Sequence, residues 1–405
     1  MSQPTSETND FITSYFEKVS MPFHKGIEDF EDYLYNQHPK RTIDRILKMM
    51  GNRMDEGGNI YTNIYRRKNE YLRLSLDISS FSSNQYKHFF EWLMSLPDIN
   101  PTKILDIGCD NGFASCFYAS LFPTSQVIGI DVNEKALECA KELALQLDLQ
   151  NIEFKKLDFA NIENQFSPDS FDLIVSLCSL HEIAQPILLP RSWSFKEGVQ
   201  LAEESFKKVD TITKLESLLM EHGAILSMER LPNVEIIAAR AVSFEKSDIY
   251  VDWSKTKKIT YDESGKPQTM PAFYLSKQKP DQNITEGAMN LYLNRDLLSS
   301  SFGTHLTDEE AEVQFHEVEN KELVLGMQMM YYNGSGTMRM EVWKTGAKFL
   351  AYRYSNTGYR DLKIVPKGTL TTIKKEFKKM EEEFEAYANV SFYKNIEERD
   401  QLEVI

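Results

Sequence analysis

The chain has 405 residues, a formal net charge of -15 at pH 7 and a hydrophobic fraction of 41%. That composition predicts a folded protein of two or three domains and excludes wholesale disorder. No stretch approaches the ~18 consecutive apolar residues of a membrane-spanning helix, and the first residues lack the pattern of a secretory signal. The four cysteines form no CxxC pair. We therefore expect a reduced, cytoplasmic protein without a metal site.

The first 97 residues show helical periodicity. Apolar side chains recur at intervals of three and four residues, as in the stripes that begin at Phe11 and at Tyr86. No alternating strand pattern appears in this part of the sequence. We therefore predict a helical N-terminal cap over residues 1–97.

From residue 102 onward, short apolar runs alternate with stretches of helical spacing. The runs cover residues 103–107, 127–131, 152–158 and 171–177. This alternation is typical of βαβ units and predicts a mainly parallel sheet.

Three further elements complete a predicted core over residues 98–280. A helix covers 213–222 and is closed by Gly223, and a fifth strand covers 224–228. A hairpin over 257–277 follows, and it can supply the last strands of the sheet.

After residue 280 the pattern changes to strand-like stretches separated by glycine-containing turns. The strands are predicted at 323–332, 337–344, 348–354 and 359–365, with a helix at 369–387. That order is typical of an antiparallel meander. We expect residues 281–405 to form a β-rich accessory domain for acceptor recognition or dimerisation, although a packing role fits the sequence equally well.

The stretch Leu105–Gly112 follows the first strand and opens the next helix. Gly108 and Gly112 permit a tight turn and the close approach of a ligand to the backbone. The GxxxG spacing differs from the GxGxxG of nicotinamide and flavin sites and from a phosphate-binding P-loop. Asp106 precedes the first glycine by two residues, where a carboxylate suits a positively charged amine.

Two further acids end neighbouring strands. Asp131 ends the second strand, where a carboxylate can accept hydrogen bonds from ribose hydroxyls. Asp158 ends the third strand, and Phe159 follows it, so this pair suits the amine and the face of a purine. Because open α/β sheets bind ligands at the carboxyl ends of their strands, the acids together predict a ligand with an amine, a ribose and an adenine. Read singly, Asp131 caps a helix and Asp158 caps a turn.

These motifs resemble the class I S-adenosylmethionine-dependent methyltransferases over about residues 103–277, whereas the C-terminal region is unrecognised. The matching stretches are Leu105–Gly112, Gly129–Asp131, Leu157–Phe159 and Phe171–Ser176. The resemblance implies an α/β, doubly wound, mainly parallel seven-stranded Rossmann-like sheet whose last strand is antiparallel. The helical N-terminal region and the C-terminal meander with its helix would flank this sheet.

The resemblance also implies S-adenosyl-L-methionine as cofactor and S-adenosyl-L-homocysteine as product. The cofactor-binding residues that it implies are Asp106, Gly108, Cys109, Gly112, Asp131, Val132, Asp158, Phe159 and Ser176. The family's loop usually reads acid-x-Gly-x-Gly-x-Gly, and this chain has Asp110 at the middle glycine. That aspartate adds a negative charge near the methionine end of the cofactor.

His181 and Glu182 follow the fourth strand, where an acceptor would react, and they are the candidate catalytic residues. A histidine titrates near neutrality and can take a proton from a hydroxyl or an amine. In the alternative interpretation, His181 hydrogen-bonds the next loop and only shapes the pocket. Cys178 fits a small core residue better than a nucleophile.

Three arginines precede the sheet, namely Arg66, Arg67 and Arg73. They either close over the carboxylate of the cofactor or form a solvated helix face.

The sequence favours a small-molecule acceptor. It lacks the Asn/Asp-Pro-Pro-Tyr/Phe motif after the fourth strand, and its negative charge disfavours nucleic acids and anionic membranes. We expect methyl transfer to an oxygen, nitrogen or carbon atom of such a molecule, by a protein that can form a homodimer. One alternative is a protein or RNA acceptor recognised through the C-terminal domain. Another is a cofactor-binding interaction protein without turnover, for which Asp110 is the hint.

Overall fold

The computed structural model describes residues 6–51, 59–97, 99–184, 187, 189–231, 233–263, 265–292, 305–334, 336–346, 348–366 and 370–402. The chain divides into two compact units. Unit 1 comprises residues 1–186, 208–230 and 244–280, and unit 2 comprises residues 187–207, 231–243 and 281–405. Two segments of the predicted core, 187–207 and 231–243, therefore cluster with the C-terminal residues.

Unit 1 begins with a set of helices that pack through their apolar stripes. They are α1 (Ser6–Lys18), α2 (Ile27–Gln37), α3 (Lys40–Gly51), α4 (Asn59–Lys68), α5 (Leu72–Ser79) and α6 (Ser83–Ser95), with a 3₁₀ turn at Ser80–Ser82. Phe30 and Leu34 of α2 pack against Ile43 and Ile46 of α3 and Leu74 of α5. The predicted helical N-terminal region is confirmed. None of the helices in the described ranges is long and apolar enough to cross a bilayer.

The sheet of unit 1 is mainly parallel, as predicted. Its strands are β1 (Lys103–Ile107), β2 (Gln126–Asp131), β3 (Ile152–Lys156), β4 (Phe171–Leu177), β5 (Leu219–Met228), β6 (Tyr250–Val251), β7 (Lys257–Glu263) and β8 (Lys266–Ser276). Seven strands follow the order β3-β2-β1-β4-β5-β8-β6, and β7 pairs with β8 off this path. Strands β1 to β5 are parallel, and β8 is antiparallel to β5. The strand order reverses between β1 and β4, which is where open α/β sheets bind ligands.

Helices connect these strands along the chain. They are α7 (Phe113–Leu121), α8 (Glu134–Gln146), α9 (Leu180–Ile183), α10 (Phe195–Ser205), α11 (Asp210–Leu218) and α12 (Val234–Glu245), and a 3₁₀ helix covers Phe159–Asn164. Two of these helices, α10 and most of α12, belong to unit 2. The predicted hairpin at 257–277 is formed by β7 and β8. The strand beside β8 at the sheet edge is β6, which the sequence did not indicate.

One predicted boundary is wrong. The helix predicted over 213–222 is α11, and Gly223, which was expected to close it, lies inside β5. Strand pairing decides the boundary, because Leu219 already pairs with Phe171 of β4. An added Cβ at Gly223 would lie 3.0 Å from the carbonyl oxygen of Asp172. The glycine therefore permits close packing within the sheet instead of ending a helix.

Unit 2 contains an antiparallel sheet with the order β14-β10-β11-β12-β13-β9. The strands are β9 (His305–Thr307), β10 (Glu322–Tyr331), β11 (Thr337–Thr345), β12 (Lys348–Ser355), β13 (Arg360–Pro366) and β14 (Ala388–Tyr393). Besides α10 and most of α12, its helices in the described ranges are α13 (Ile284–Tyr292), α14 (Asp308–Glu317), α15 (Leu370–Phe384) and α16 (Ile396–Asp400). The predicted meander is β10 to β13, and β9 and β14 extend it at both edges.

Each face of this sheet has its own apolar cluster, because successive strand residues point to opposite faces. On β11, Val342 packs with Phe377 of α15. The next residue, Trp343, packs with Phe315 of α14 on the other face. The sheet is therefore covered by helices on both sides.

A buried carboxylate anchors α14 to the sheet. Glu312 is 1% exposed and accepts hydrogen bonds from the Tyr352 hydroxyl at 2.6 Å, the Arg360 Nε at 2.5 Å and the His316 ring at 2.7 Å. Burial alone would raise the pKa of Glu312, but the His316 hydrogen bond and the Arg360 charge outweigh burial and lower the pKa to about 2. The ionised carboxylate therefore stabilises the folded unit.

We predict that Glu312→Gln destabilises unit 2 by about 3–5 kcal/mol, because it leaves the buried Arg360 guanidinium without its nearest charge partner. Thermal unfolding of the full chain measures the change. The control is Glu317→Gln, which changes an exposed residue of the same helix. Since the folded-state pKa lies below the ordinary value of 4.5, the Glu312 contribution is complete above about pH 4.5 and is lost as the pH falls toward about 2. Equal melting temperatures for both variants would contradict this role.

Candidate cofactor and acceptor site

A cavity of about 1020 Å³ lies within unit 1 at the carboxyl ends of the parallel strands. Its walls are the loop after β1, the ends of β2, β3 and β4, and side chains from the N-terminal helices. Of the predicted cofactor residues, the ones that line it are Asp106, Gly108, Cys109, Asp131, Val132, Asp158 and Phe159. Gly112 and Ser176 are not among the lining residues in the described ranges. The strand order thus brings most of the predicted set to one cavity.

Asp106 is a buried acid at the floor of the cavity. It is 2% exposed and accepts a hydrogen bond from the Ser115 hydroxyl at the start of α7. Burial, opposed by that hydrogen bond and aided by the nearby charge of Asp131, raises the pKa of Asp106 to about 7. A bound ammonium group would favour its ionised form.

Asp131 lines the cavity and also binds the loop that follows β1. Its two carboxylate oxygens accept hydrogen bonds from the backbone N–H groups of Asp110 at 3.0 Å and Asn133 at 2.8 Å. The cap of α8 is Asn133 itself, so Asp131 is not needed for that role. Burial and then the charge of Asp110 raise the pKa of Asp131 to about 6, while Lys68 acts in the opposite direction.

Asp110, the departure from the family's loop, is matched by two side chains from the N-terminal helices. Lys68 Nζ forms an ion pair with one carboxylate oxygen, and Asn69 Nδ2 donates to the other at 2.9 Å. The backbone of Asp110 has a φ of 47°, in the left-handed region that glycine would favour. The charge that Asp110 adds to the loop is therefore compensated within the protein.

Asp158 and Phe159 lie just beyond the end of β3 and line the same cavity. The Asp158 carboxylate accepts a hydrogen bond from the Ala160 N–H at 2.9 Å and caps the short 3₁₀ helix. It is exposed, so it can still accept from a ligand, whereas Phe159 is 4% exposed. Both the capping role and the ligand-facing position are therefore present at Asp158.

Gly112 and Ser176 do not line the described part of the cavity and make contacts within the protein instead. An added Cβ at Gly112 would lie 2.7 Å from the Cβ of Ala140, and its φ is 76°, so the position requires glycine for the turn into α7. The Ser176 hydroxyl donates to Glu229 at 2.7 Å and lies 3.0 Å from the Ser179 hydroxyl. The cofactor-binding role predicted for these two residues stays a prediction.

Glu229 is a buried hub that the sequence reasoning missed. It is 2% exposed, and it accepts from the Ser176 hydroxyl at 2.7 Å, the Ser227 hydroxyl at 3.0 Å and the backbone N–H groups of Leu180 and His181 at 3.2 Å. The carboxylate therefore joins the ends of β4 and β5 to the start of α9. Its position directly after the fifth strand could have indicated it, because an acid near the carboxyl end of a strand is the feature that identified the three aspartates.

Of the two candidate catalytic residues, Glu182 lines the cavity and His181 binds Glu229 instead. His181 Nδ1 lies 2.6 Å from Glu229 Oε2, and His181 is not among the lining residues in the described ranges. Glu182 lines the cavity, and its Oε1 accepts a hydrogen bond from the Tyr65 hydroxyl at 3.3 Å. Arg230 and Glu263 line the same end, with Arg230 Nη2 3.8 Å from Glu263 Oε1.

The three arginines of the N-terminal helices differ in their surroundings. Arg73 is bound to Asp77 and to two backbone carbonyls, and Arg67 pairs with Glu70 at 2.7 Å. Arg66 alone of the three lines the cavity. The predicted contact with the carboxylate of the cofactor therefore stays a prediction for Arg66, which is exposed on α4.

Comparison with known proteins identifies the class. The family model described as "Methyltransferase domain" matches residues 100–259. This segment resembles a class I S-adenosylmethionine-dependent methyltransferase domain, whose cofactor is S-adenosyl-L-methionine. The resemblance expected from the sequence is thereby confirmed for this part of the chain.

The individual relatives differ in what their names say they act on. The chain is 27% identical over 125 residues to a ubiquinone biosynthesis O-methyltransferase of Albidiferax ferrireducens, covering 29% of this chain and 48% of that protein. It is 31% identical over 134 residues to a release factor glutamine methyltransferase of Aliivibrio fischeri, covering 31% and 46%. The chain thus spans about half the length of these relatives. A solved S-adenosylmethionine-dependent methyltransferase of Listeria monocytogenes, titled as putative, has 16% identity and a TM-score of 0.34, with 47% of this chain and 98% of that chain covered.

The residues at the cavity fit this cofactor. Its ammonium group needs a carboxylate, its ribose needs hydrogen-bond acceptors, and its adenine needs an acceptor beside an apolar face. Asp106, Asp131, Asp158 and Phe159 supply these groups on three adjacent strands. Among the described residues, no group of three or more His, Cys, Asp or Glu side chains is arranged to hold a metal ion.

We predict that Asp131→Ala weakens S-adenosylhomocysteine binding at least tenfold, or ~1.4 kcal/mol, because the ribose loses its acceptor. Isothermal titration measures the affinity. Glu142→Ala, an exposed change on α8, is the control and should bind normally. An unchanged affinity for the Asp131 variant would discredit the ribose assignment.

We also predict that S-adenosylhomocysteine binds more weakly at lower pH. The raised pKa values of Asp106, about 7, and Asp131, about 6, mean that both carboxylates gain protons as the solution is acidified. The ammonium group of the ligand requires the ionised form, so affinity should fall about tenfold from about pH 8 to about pH 6. Titrations across this range measure the slope. Asp106→Asn should flatten it, and an equally steep slope in that variant would argue against Asp106 as the titrating group.

Proposed function

We propose that the protein transfers a methyl group from S-adenosyl-L-methionine to a nitrogen, oxygen or carbon atom of a small molecule held in the cavity of unit 1. One observation carries this proposal. Asp106, Asp131 and Asp158, which we call the aspartate rim, line a cavity that also has apolar walls from the N-terminal helices. Its volume of about 1020 Å³ reaches the upper end of the range of ~300–1,000 Å³ for small-molecule sites. It therefore has space for a second ligand beside the cofactor.

When bound, the cofactor supplies a methyl group on a positively charged sulfur, and the carbon–sulfur electron pair leaves with the neutral thioether of S-adenosylhomocysteine. The acceptor heteroatom donates the electron pair of the new bond. The protein contributes alignment, exclusion of water and a group that takes the proton released by an N–H or O–H acceptor.

Glu182 is the proposed proton acceptor. It lies just after β4 and lines the cavity, and its Oε1 accepts a hydrogen bond from the Tyr65 hydroxyl of α4 at 3.3 Å. His181 is bound through Nδ1 to the buried Glu229. We propose that this pair positions α9, and hence Glu182, without contact between His181 and the acceptor.

The remaining assignments are predictions from the sequence. They are a cytoplasmic location, and acceptor recognition or dimerisation by residues 281–405. A protein or RNA acceptor is the competing proposal, since relatives of this domain include enzymes named for ribosomal RNA and for a release factor.

Label transfer separates these proposals. The full chain is incubated with cofactor carrying a radioactive methyl group and a bacterial cell extract, which is then divided into small molecules, RNA and protein. We expect label in the small-molecule fraction, and label confined to RNA or protein would overturn the proposed acceptor class. Cofactor binding without transfer to any fraction would favour the non-catalytic alternative.

We predict that Glu182→Gln lowers the rate of label transfer about 100-fold, since general bases contribute factors of about 10²–10⁴. Affinity for S-adenosylhomocysteine should stay unchanged, because Asp106, Asp131 and Asp158, which fit the cofactor, lie at the ends of β1, β2 and β3. Glu203→Gln, an exposed change on α10, is the control for expression and folding. A full transfer rate in the Glu182 variant would remove this residue from the proposed chemistry.

A further inference from the structure

The N-terminal helices and the 3₁₀ turn after α5 contribute an apolar wall to the cavity. Its lining includes Phe30, Leu47, Met50, Ile64, Ile78 and Phe81. These residues come from α2, α3, α4, α5 and the 3₁₀ turn that follows α5. None of them belongs to the loop and strand ends that hold the predicted cofactor residues. We refer to these six residues as the apolar wall.

The apolar wall adjoins the end of β4, where the acceptor reacts in the proposed function. The rings of Phe30 and Phe81 are 5.1 Å apart between centroids. Gln85 follows Phe81 by about one helical turn, and its Nε2 donates to the Cys178 thiol at 2.9 Å just after β4. The wall is therefore continuous with the acceptor end of the cavity.

The charged residues that line the cavity are mostly acids. They are nine Asp and Glu residues, among them Glu31, Glu182 and Glu263, against four Lys and Arg residues. Arg230 is already within 3.8 Å of Glu263. An acceptor with a carboxylate or phosphate would meet net negative charge there and would also lose its hydration against the apolar wall.

We infer that the acceptor is a largely apolar, uncharged small molecule, such as a fused aromatic ring, with one hydroxyl or amino group. Its apolar body lies against the apolar wall, and its hydrogen-bearing heteroatom points toward Glu182. This inference rests on the proposed function and narrows its substrate class. In the transfer step, the heteroatom forms a bond to the methyl carbon, the carbon–sulfur bond breaks with its electrons on sulfur, and the heteroatom's proton passes to Glu182.

The energetic argument favours an apolar body. Each apolar Å² removed from water contributes roughly 25 cal/mol, so a bicyclic ring buried against six hydrophobic side chains gains more than a single polar contact supplies. The polar groups at the Glu182 end then set the orientation. This division between an apolar body and a few polar contacts is usual in small-molecule sites.

Binding of matched naphthalene probes tests the inference. The full chain, saturated with S-adenosylhomocysteine, is titrated with 1-naphthol, 1-aminonaphthalene and 1-naphthoate. We expect the two neutral probes to bind at least about tenfold more tightly than the carboxylate. Equal or tighter binding of 1-naphthoate, or no binding of either neutral probe, would overturn the inference. With labelled cofactor, O-methylation or N-methylation of the neutral probes then distinguishes a hydroxyl from an amino acceptor.

A charge placed in the apolar wall gives an independent readout. Leu47→Glu should weaken binding of both neutral probes at least about tenfold while leaving S-adenosylhomocysteine affinity unchanged. Leu145→Glu is the matched control, since Leu145 is 78% exposed on α8 and does not line the cavity. Probe binding that survives Leu47→Glu would place the probes elsewhere and refute the inference.

Failure of the proposed function has a different signature. If the chain binds no S-adenosylhomocysteine, or transfers label only to RNA or protein, the proposed function fails. If it binds that ligand and labels small molecules but prefers charged ones, only the acceptor class is wrong.

Discussion

The concentration of carboxylates at the rim of the sheet is the constraint on which the rest of unit 1 depends. Asp106, Asp110 and Asp131 all line one cavity, and burial makes ionisation of Asp106 and Asp131 costly. Lys68 and Asn69 bind the Asp110 carboxylate. Since both residues come from the N-terminal helical region, those helices belong to the electrostatics of the cofactor loop. A catalytic core without them would keep three neighbouring acids and lose the cation that compensates them.

The loop after β4 depends on the buried carboxylate of Glu229. Glu229 ties β4, β5 and the first residues of α9 together through hydroxyl and backbone donors. These donors satisfy the hydrogen-bonding capacity of a carboxylate that is only 2% exposed. Glu229 thereby ties the loop after β4 to the end of β5.

The sequence predicted what local rules determine. Asp106, Asp131 and Asp158 were found because each acid lies at or near the carboxyl end of a predicted strand, and parallel strands share one edge of the sheet. Lys68 could not be found in this way, because its pairing with Asp110 joins residues from different elements. Gly223 misled the prediction, since a glycine after a helical stretch reads as a helix end, whereas pairing of Leu219 with β4 had already begun the strand. Local periodicity predicts element types, but long-range pairing decides boundaries and partners.

The two groups of cavity residues come from different parts of the chain. The acids that fit the cofactor lie on the ends of parallel strands, whose positions the backbone hydrogen bonds of the sheet fix. The apolar wall lies on short helices that pack through side chains such as Leu34 and Leu74. Side-chain packing tolerates changes of shape more readily than strand register does. Substitutions in the N-terminal helices can therefore reshape the acceptor end of the cavity while the aspartate rim stays unchanged. Lys68 limits that freedom, because α4 must keep its cation at Asp110 whatever the helices place against the acceptor.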